Sequence, residues 1–188
     1  MLKGKTFIFC SFNLAVLIVC VLFGCRKEES WMWERKLSKD LKLMGHRNWI
    51  VVADSAYPAQ NSAGIETIVA GVDQLGVVKK VLTAIDEAKH VQAKIYLDKQ
   101  LDSVAEADAP GIHIYREELK KLLEGRELIS IEHEELIAKL DEAAKVFKIL
   151  IIKTDMTLPY TSVFLELDCG YWNSDAEKRL RMNMRKSK

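Results

Sequence analysis

The chain has 188 residues, of which 49% are hydrophobic and 29% charged, with 28 basic residues against 27 acidic ones. These proportions are those of an ordinary globular protein, and the length suits one domain. The near-neutral balance argues against nucleic acid as a partner. With Cys10 and Cys20 inside an apolar N-terminal run, the four cysteines offer neither a disulfide framework nor a cysteine-based zinc site.

Lys3 and Lys5 precede Phe7 to Phe23, an apolar run broken only by Ser11 and Asn13 and closed by Leu22-Phe23-Gly24-Cys25. This reads as a targeting segment. A retained membrane helix and a cleaved soluble signal are the alternatives to a lipoprotein signal, and the run is marginal for a span that needs about 20 apolar residues. Leu-Phe-Gly-Cys resembles the bacterial lipobox, in which the cysteine becomes the acylated first residue of the mature chain. On that resemblance residues 1–24 are a signal peptide, Cys25 carries lipid, and residues 25–30 form a tether. The protein would then reside in the bacterial cell envelope, outside the cytoplasm, with the membrane as a partner through Cys25. Loss of Met1 to Gly24 would leave 26 basic and 27 acidic residues, with Cys169 the one remaining thiol.

In the mature chain, Trp33, Leu37, Leu41 and Met44 recur at helical spacing, with Ser30 as N-cap and Gly45 as stop. Trp49 to Ala53 is a continuous apolar, β-branched run of the kind buried on both faces of a parallel sheet. Tyr57 to Gly64 reads as a loop, Ile65 to Val69 as a second strand, and Asp73 as the cap of a helix whose Leu75, Val78, Leu82 and Ile85 share one face. Val91 to Leu97 alternates as a third strand, and strand, helix, strand in succession make a right-handed crossover. Asp102 to Gly111 is small, acidic and broken by Pro110, as in a surface loop or a solvated helix end. Tyr115 to Leu123 is helical and stopped by Gly125, Leu128 to Ile131 is a strand, Glu134 to Lys145 a helix, and Phe147 to Ile152 the fifth strand.

Only Lys153 to Pro159 separates that strand from Tyr160 to Asp168, too short for a parallel return, so the sixth strand should run antiparallel to the fifth. The pattern predicts a three-layer, Rossmann-like α/β domain over residues 31–172, with a mostly parallel sheet of about six strands and an antiparallel last strand. Residues 173–188 form a basic tail, solvated or in contact with an anionic membrane surface.

In open α/β sheets ligands bind beyond the carboxyl ends of the parallel strands. Asp54 follows strand one, His133 follows strand four, and the antiparallel start at Tyr160 and Ser162 returns to that same edge. Together they would form a polar cup. His46 lies before strand one, eight residues from Asp54, a separation approaching roughly 25 Å in extended chain. It belongs at the opposite edge, unless the chain doubles back at Gly45 or His46 completes the cup of a neighbouring copy; the last is preferred. Each residue also has a structural explanation: Asp54 in an Asx-turn with Ser55, His133 in place of an N-cap, Tyr160 as a half-buried strand aromatic, Gly45-His46 as a helix terminus. His90 and His113 sit in polar connections and read as surface residues.

Met44-Gly45-His46 before the first strand, Asp54 to Pro58 after it, His133-Glu134-Glu135-Leu136 after a later strand and Pro159-Tyr160-Thr161-Ser162 opening the last resemble, as an ordered set, the ribose pyranase and fucose mutarotase family. The resemblance implies that His46 is the catalytic proton donor. It also implies that Asp54, His133, Tyr160, Thr161 and Ser162 hold a monosaccharide, in a ring-shaped homo-oligomer with sites between subunits. Ser55 and Ser162 depart from the alanine and asparagine usual in that family.

The implied chemistry is interconversion of cyclic forms of a free aldose, with no cofactor and no metal. Histidine suits it, because imidazole titrates near 6.5 and both of its forms are available around neutrality. Two other functions compete: a non-catalytic sugar-binding lipoprotein of the same fold, and a scaffold that assembles without a ligand. Enzymes built on a phosphate-cradling loop are disfavoured, since neither a P-loop nor a Gly-x-Gly-x-x-Gly follows any strand.

Overall fold

The computed structural model describes residues 32–186. The signal segment, Cys25 and its tether, and the Ser30 cap lie outside the described residues. Among the described residues no helix is long and apolar enough to cross a membrane.

Helix α1 occupies residues 32–41 and buries the predicted stripe, with Trp33, Leu37 and Leu41 all under 5% exposed. His90 closes its C-terminal end, where Nε2–H donates to the carbonyls of Leu41 and Met44. Leu41 is the last residue of α1, where a helix carbonyl has no N–H four residues on to accept from. The strands are β1 Trp49–Ala53, β2 Ile65–Val69, β3 Val91–Asp98, β4 Leu128–Ile131, β5 Ile149–Lys153 and β6 Val163–Cys169. The helices are α2 Gln74–Glu87, α3 Ile112–Leu122, α4 His133–Ala144 and α5 Ser174–Lys186.

They form one six-stranded sheet of order β2-β5-β1-β6-β3-β4. Strands β2, β5 and β1 are mutually parallel, β3 and β4 are parallel, and β6 runs antiparallel between β1 and β3. The antiparallel last strand therefore lies inside the sheet, and its start shares an edge with the ends of β1 and β3. Successive strand residues face opposite layers. Ile50, Val52, Leu150 and Ile152 pack with α1, α2 and α3, whereas Trp49, Val51, Ile149, Ile151 and Phe164 pack against Leu136 and Leu140 of α4.

Several bounds move. Asp73 caps α2 as expected, accepting the Leu75 and Gly76 N–H groups. His133 is not a cap but the first residue of α4, with Glu132 at the cap position. Helix α3 begins three residues before Tyr115, because Ile112 packs in the same apolar stripe as Tyr115 and Leu119. The 102–111 segment starts in a short 3-10 helix, Lys99–Ser103. Tyr160, Thr161 and Ser162 precede β6 rather than opening it. Within the basic tail, Ser174–Lys186 is the helix α5.

Candidate functional site

The edge at which β1, β3, β4 and β5 end carries the predicted cup. Asp54 stands just past β1, where its Oδ1 accepts from the Ala56 N–H at 2.9 Å, the expected Asx-turn. Ser162 binds Asp54 twice, its Oγ–H donating to Oδ2 at 2.9 Å and its Oγ accepting the Asp54 N–H at 3.2 Å. The Ser162 hydroxyl is thereby spent on holding Asp54. Across the cup, His133 and Tyr160 meet edge to face with ring centres 5.6 Å apart.

Thr161 does not face the cup. It is fully buried; its hydroxyl donates to the Leu158 carbonyl, and its own carbonyl accepts from Gln74 Nε2 and the Tyr115 hydroxyl. Thr154 completes this floor: its hydroxyl lies 2.9 Å from both Gln74 Oε1 and the Ala53 carbonyl, and since that carbonyl already accepts the Thr154 N–H, the one hydroxyl proton goes to Gln74. A buried polar network of this kind fixes its members only when each is satisfied. Here it locks the lead-in to β6 against α2, α3 and the end of β1.

Two cup residues escaped the sequence reading. Asp98 ends β3 and is 2% exposed, with Oδ1 3.0 Å from His133 Nδ1 and Oδ2 without any protein partner. Burial pushes its carboxyl up from the ordinary value, the bond and charge of His133 pull it back, and the neighbouring Asp54 and Glu134 charges push it up again. Tyr57, packed on Phe164, likewise has a buried hydroxyl without a partner, and burial raises its phenol so that it stays protonated. Buried polar atoms nearly always find a partner; among the described residues these two share that state with Trp33 Nε1 and Gln60 Oε1. The rule that selects Asp54 and His133 just past strand ends also reaches Asp98, which directly follows the predicted third strand Val91 to Leu97.

His46 is at the other edge. It stands at the corner of a tight turn closed by the Asn48 N–H to the Gly45 carbonyl, and the turn is stitched to β6 by the Arg47 N–H to the Leu167 carbonyl. Its Nδ1 lies 2.6 Å from Asp168 Oδ1, while the other oxygen of Asp168 pairs with Lys94 at 2.8 Å. Burial would raise Asp168, but Lys94, the Cys169 N–H and His46 outweigh it and bring the carboxyl down to about 2. An ionised carboxylate only accepts, so Nδ1 of His46 carries the proton and Nε2, on a side chain 55% exposed, faces outward.

Among the described residues the non-glycine positions with positive φ are Arg47 at 74° and Tyr160 at 57°, one beside His46 and the other in the cup. Left-handed backbone costs about 1–2 kcal/mol for an ordinary residue and clusters at functional sites. No group of three or more His, Cys, Asp or Glu among the described residues is arranged to hold a metal ion. Cys169 is a free thiol.

A six-stranded sheet with its antiparallel strand inside, a strand-end cup, and a histidine on the far edge together define the class. The sequence pattern of the RbsD / FucU transport protein family matches residues 27–169, and the chain belongs to that family. Bacillus subtilis RbsD, solved in complex with D-ribose, shares 21% identity at a TM-score of 0.50, over 71% of this chain and 91% of its own; at that identity the likeness shows the fold. FucU from Bifidobacterium longum is 20% identical at a TM-score of 0.47, covering 71% of this chain and 94% of its own. The Streptococcus pneumoniae fucose mutarotase in complex with L-fucose is 21% identical at 0.45, covering 69% and 89%. No curated protein matches the chain.

Proposed function

We propose that the protein interconverts cyclic forms of a free monosaccharide in the cup of one copy, with His46 supplied by a neighbouring copy of a ring-shaped homo-oligomer. The observation that carries this reading is the pairing of two incomplete halves. The cup holds Asp98 Oδ2 and the Tyr57 hydroxyl buried without partners, and His46 presents Nε2 to solvent from the opposite end of β1. Each half lacks what the other offers.

The reaction needs a proton delivered to the ring oxygen as the anomeric hydroxyl loses one. The bond from the anomeric carbon to the ring oxygen breaks, an open-chain aldehyde forms, and closure on its other face or through another hydroxyl returns both protons. His46, with Nδ1–H anchored on Asp168, gives and takes the proton at Nε2. His133, anchored at Nδ1 by Asp98, bonds a sugar hydroxyl, Asp54 accepts from another, and Tyr160 borders the ring. General acid–base help contributes about 10² to 10⁴ in rate, which is enough for a reaction that already proceeds in water.

The test is magnetization-transfer NMR of sugar-form exchange across a panel that includes ribose and fucose. The protein should accelerate exchange for at least one sugar and His46→Ala should abolish the acceleration. A monomer with His46 in bulk solvent and no acceleration of any sugar would sink the reading. The involvement of Ser162 with Asp54 supports a second outcome, sugar binding without exchange, which calorimetry separates from the first.

Lipid attachment at Cys25, holding the domain at the cell envelope outside the cytoplasm, belongs to the same proposal. It is supported by the family match beginning at residue 27, immediately past Leu22-Phe23-Gly24-Cys25. Cys25→Ser should abolish fatty-acid labelling and move the protein out of the membrane fraction; labelling that persists in the variant would refute lipidation at this residue.

A further inference from the structure

The family pattern ends at residue 169, yet the chain continues into α5, none of whose residues is fully buried, although Ala176 and Glu177 are part-buried and Asn183 makes a contact. Leu180 and Met184 are 41% and 56% exposed and, four residues apart, share one stripe of the helix. Lys178 and Arg181 are paired within the helix to Asp175 and Glu177. Arg179, Arg185 and Lys186 have no carboxylate partner within ion-pair distance among the described residues. A helix of 13 residues is marginal in water by itself, so this one has the character of a docking element.

Its root is fixed. The Gly170 N–H donates to the His90 carbonyl, and a Cβ on Gly170 would come within 2.9 Å of the Lys89 carbonyl oxygen and of Val91 N and O, so the backbone there is pressed onto the start of β3. Asp168, two residues earlier, touches His46 at 2.6 Å. Wherever His46 meets a neighbouring copy, α5 leaves the body at that same seam, after a four-residue link spanning at most about 14 Å. The surface it would meet is the far edge of the next copy, and that rim is acidic, with exposed Asp102, Asp108, Glu134, Glu135 and Asp155 around the cup.

We propose that α5 is an arm that docks its Arg179, Arg185 and Lys186 onto the acidic rim of the neighbouring copy's cup. This rests on the shared-site reading above. Charge alone suits an acidic rim and an anionic membrane alike; position favours the second copy. Helix α1 begins beside the end of β2, where Met32 and Trp33 share a hollow with Ile68 to Gly71, so residue 32 stands at the cup edge. Helix α5 leaves from the opposite edge, on the order of 17 Å away along a five-residue strand.

The experiment is zero-length carbodiimide cross-linking of the full-length protein in a mixture of isotopically labelled and unlabelled copies, with native mass spectrometry of the same samples. Wild type should give mixed-isotope cross-links from Lys178 or Lys186 to rim carboxylates. The Arg179→Glu, Arg185→Glu, Lys186→Glu variant should lose them and assemble at least about tenfold more weakly, with recovery when Asp102→Lys, Glu134→Lys and Glu135→Lys are added. His46→Ala should lose exchange and keep the cross-links. Wild type that assembles and exchanges sugar but ignores the triple reversal overturns the arm alone. Binding of α5 to phosphatidylglycerol vesicles, lost on the triple reversal while assembly is unchanged, overturns it in favour of a membrane. A monomeric wild type overturns the shared site as well.

Discussion

Replacing Asp168 with asparagine keeps the shape of the side chain and removes the charge that joins His46 to Lys94. Its carboxyl is brought from an ordinary 3.8 to about 2, nearly two pKa units at about 1.4 kcal/mol each. With the side chain 22% exposed, solvent screening reduces that to about 1–2 kcal/mol of stability at neutral pH. The folded value is depressed, so the contribution is complete above the unfolded carboxylate value near 3.9 and disappears as pH falls through the folded value. Urea unfolding of wild type and Asp168→Asn should therefore differ by about 1–2 kcal/mol at about pH 7 and at about pH 5, with the gap closing between about pH 4 and pH 2. Sugar exchange should fall by about one to two orders of magnitude, because an amide no longer dictates which nitrogen of His46 carries the proton. A stability gap as large at about pH 2 as at about pH 7 would refute the electrostatic origin. Unchanged exchange would show that Asp168 does not position His46.

Asp98→Asn should leave stability unchanged or raise it, since it removes a buried carboxylate with an orphan oxygen while keeping an acceptor for His133, and it should weaken monosaccharide binding about tenfold; thermal melts and calorimetry with D-ribose check both. Tyr160→Gly should raise stability by up to about 1 kcal/mol by relieving the left-handed backbone, yet lower exchange, whereas Tyr160→Phe keeps the ring against His133 and isolates the hydroxyl. A Tyr160→Gly protein less stable than wild type would refute the strain. Ser162→Ala removes the partner of the part-buried Asp54 N–H and should cost about 1 kcal/mol in chemical denaturation, with sugar affinity falling as the Asp54 turn loosens. Wild-type stability in that variant would mean that the two bonds to Asp54 carry no weight.

The ranges of β1 and β2 were legible in the sequence to the residue, because continuous β-branched runs bounded by Gly, Asp and Asn leave little choice of register or end. The antiparallel sense of β6 was equally legible, from a connection too short to return a parallel strand. Its place inside the sheet was not: pairing partners are chosen by non-local contacts that no local pattern encodes. The cup residues Asp54 and His133 could be found because strand ends converge by topology. Asp98 was within reach of the same strand-end rule, but its contact with His133 and the buried hydroxyl of Tyr57 are properties of the folded surroundings. The Thr161 hydroxyl, read as facing a sugar, is engaged at Leu158, because the strained backbone at Tyr160 sets which way each neighbour points. The family features around His46 were on the page from the start, but only the tertiary structure sets its ring against Asp168 at the edge away from the cup. A 122-residue separation between those partners is closed by chain topology, and local sequence carries no record of it.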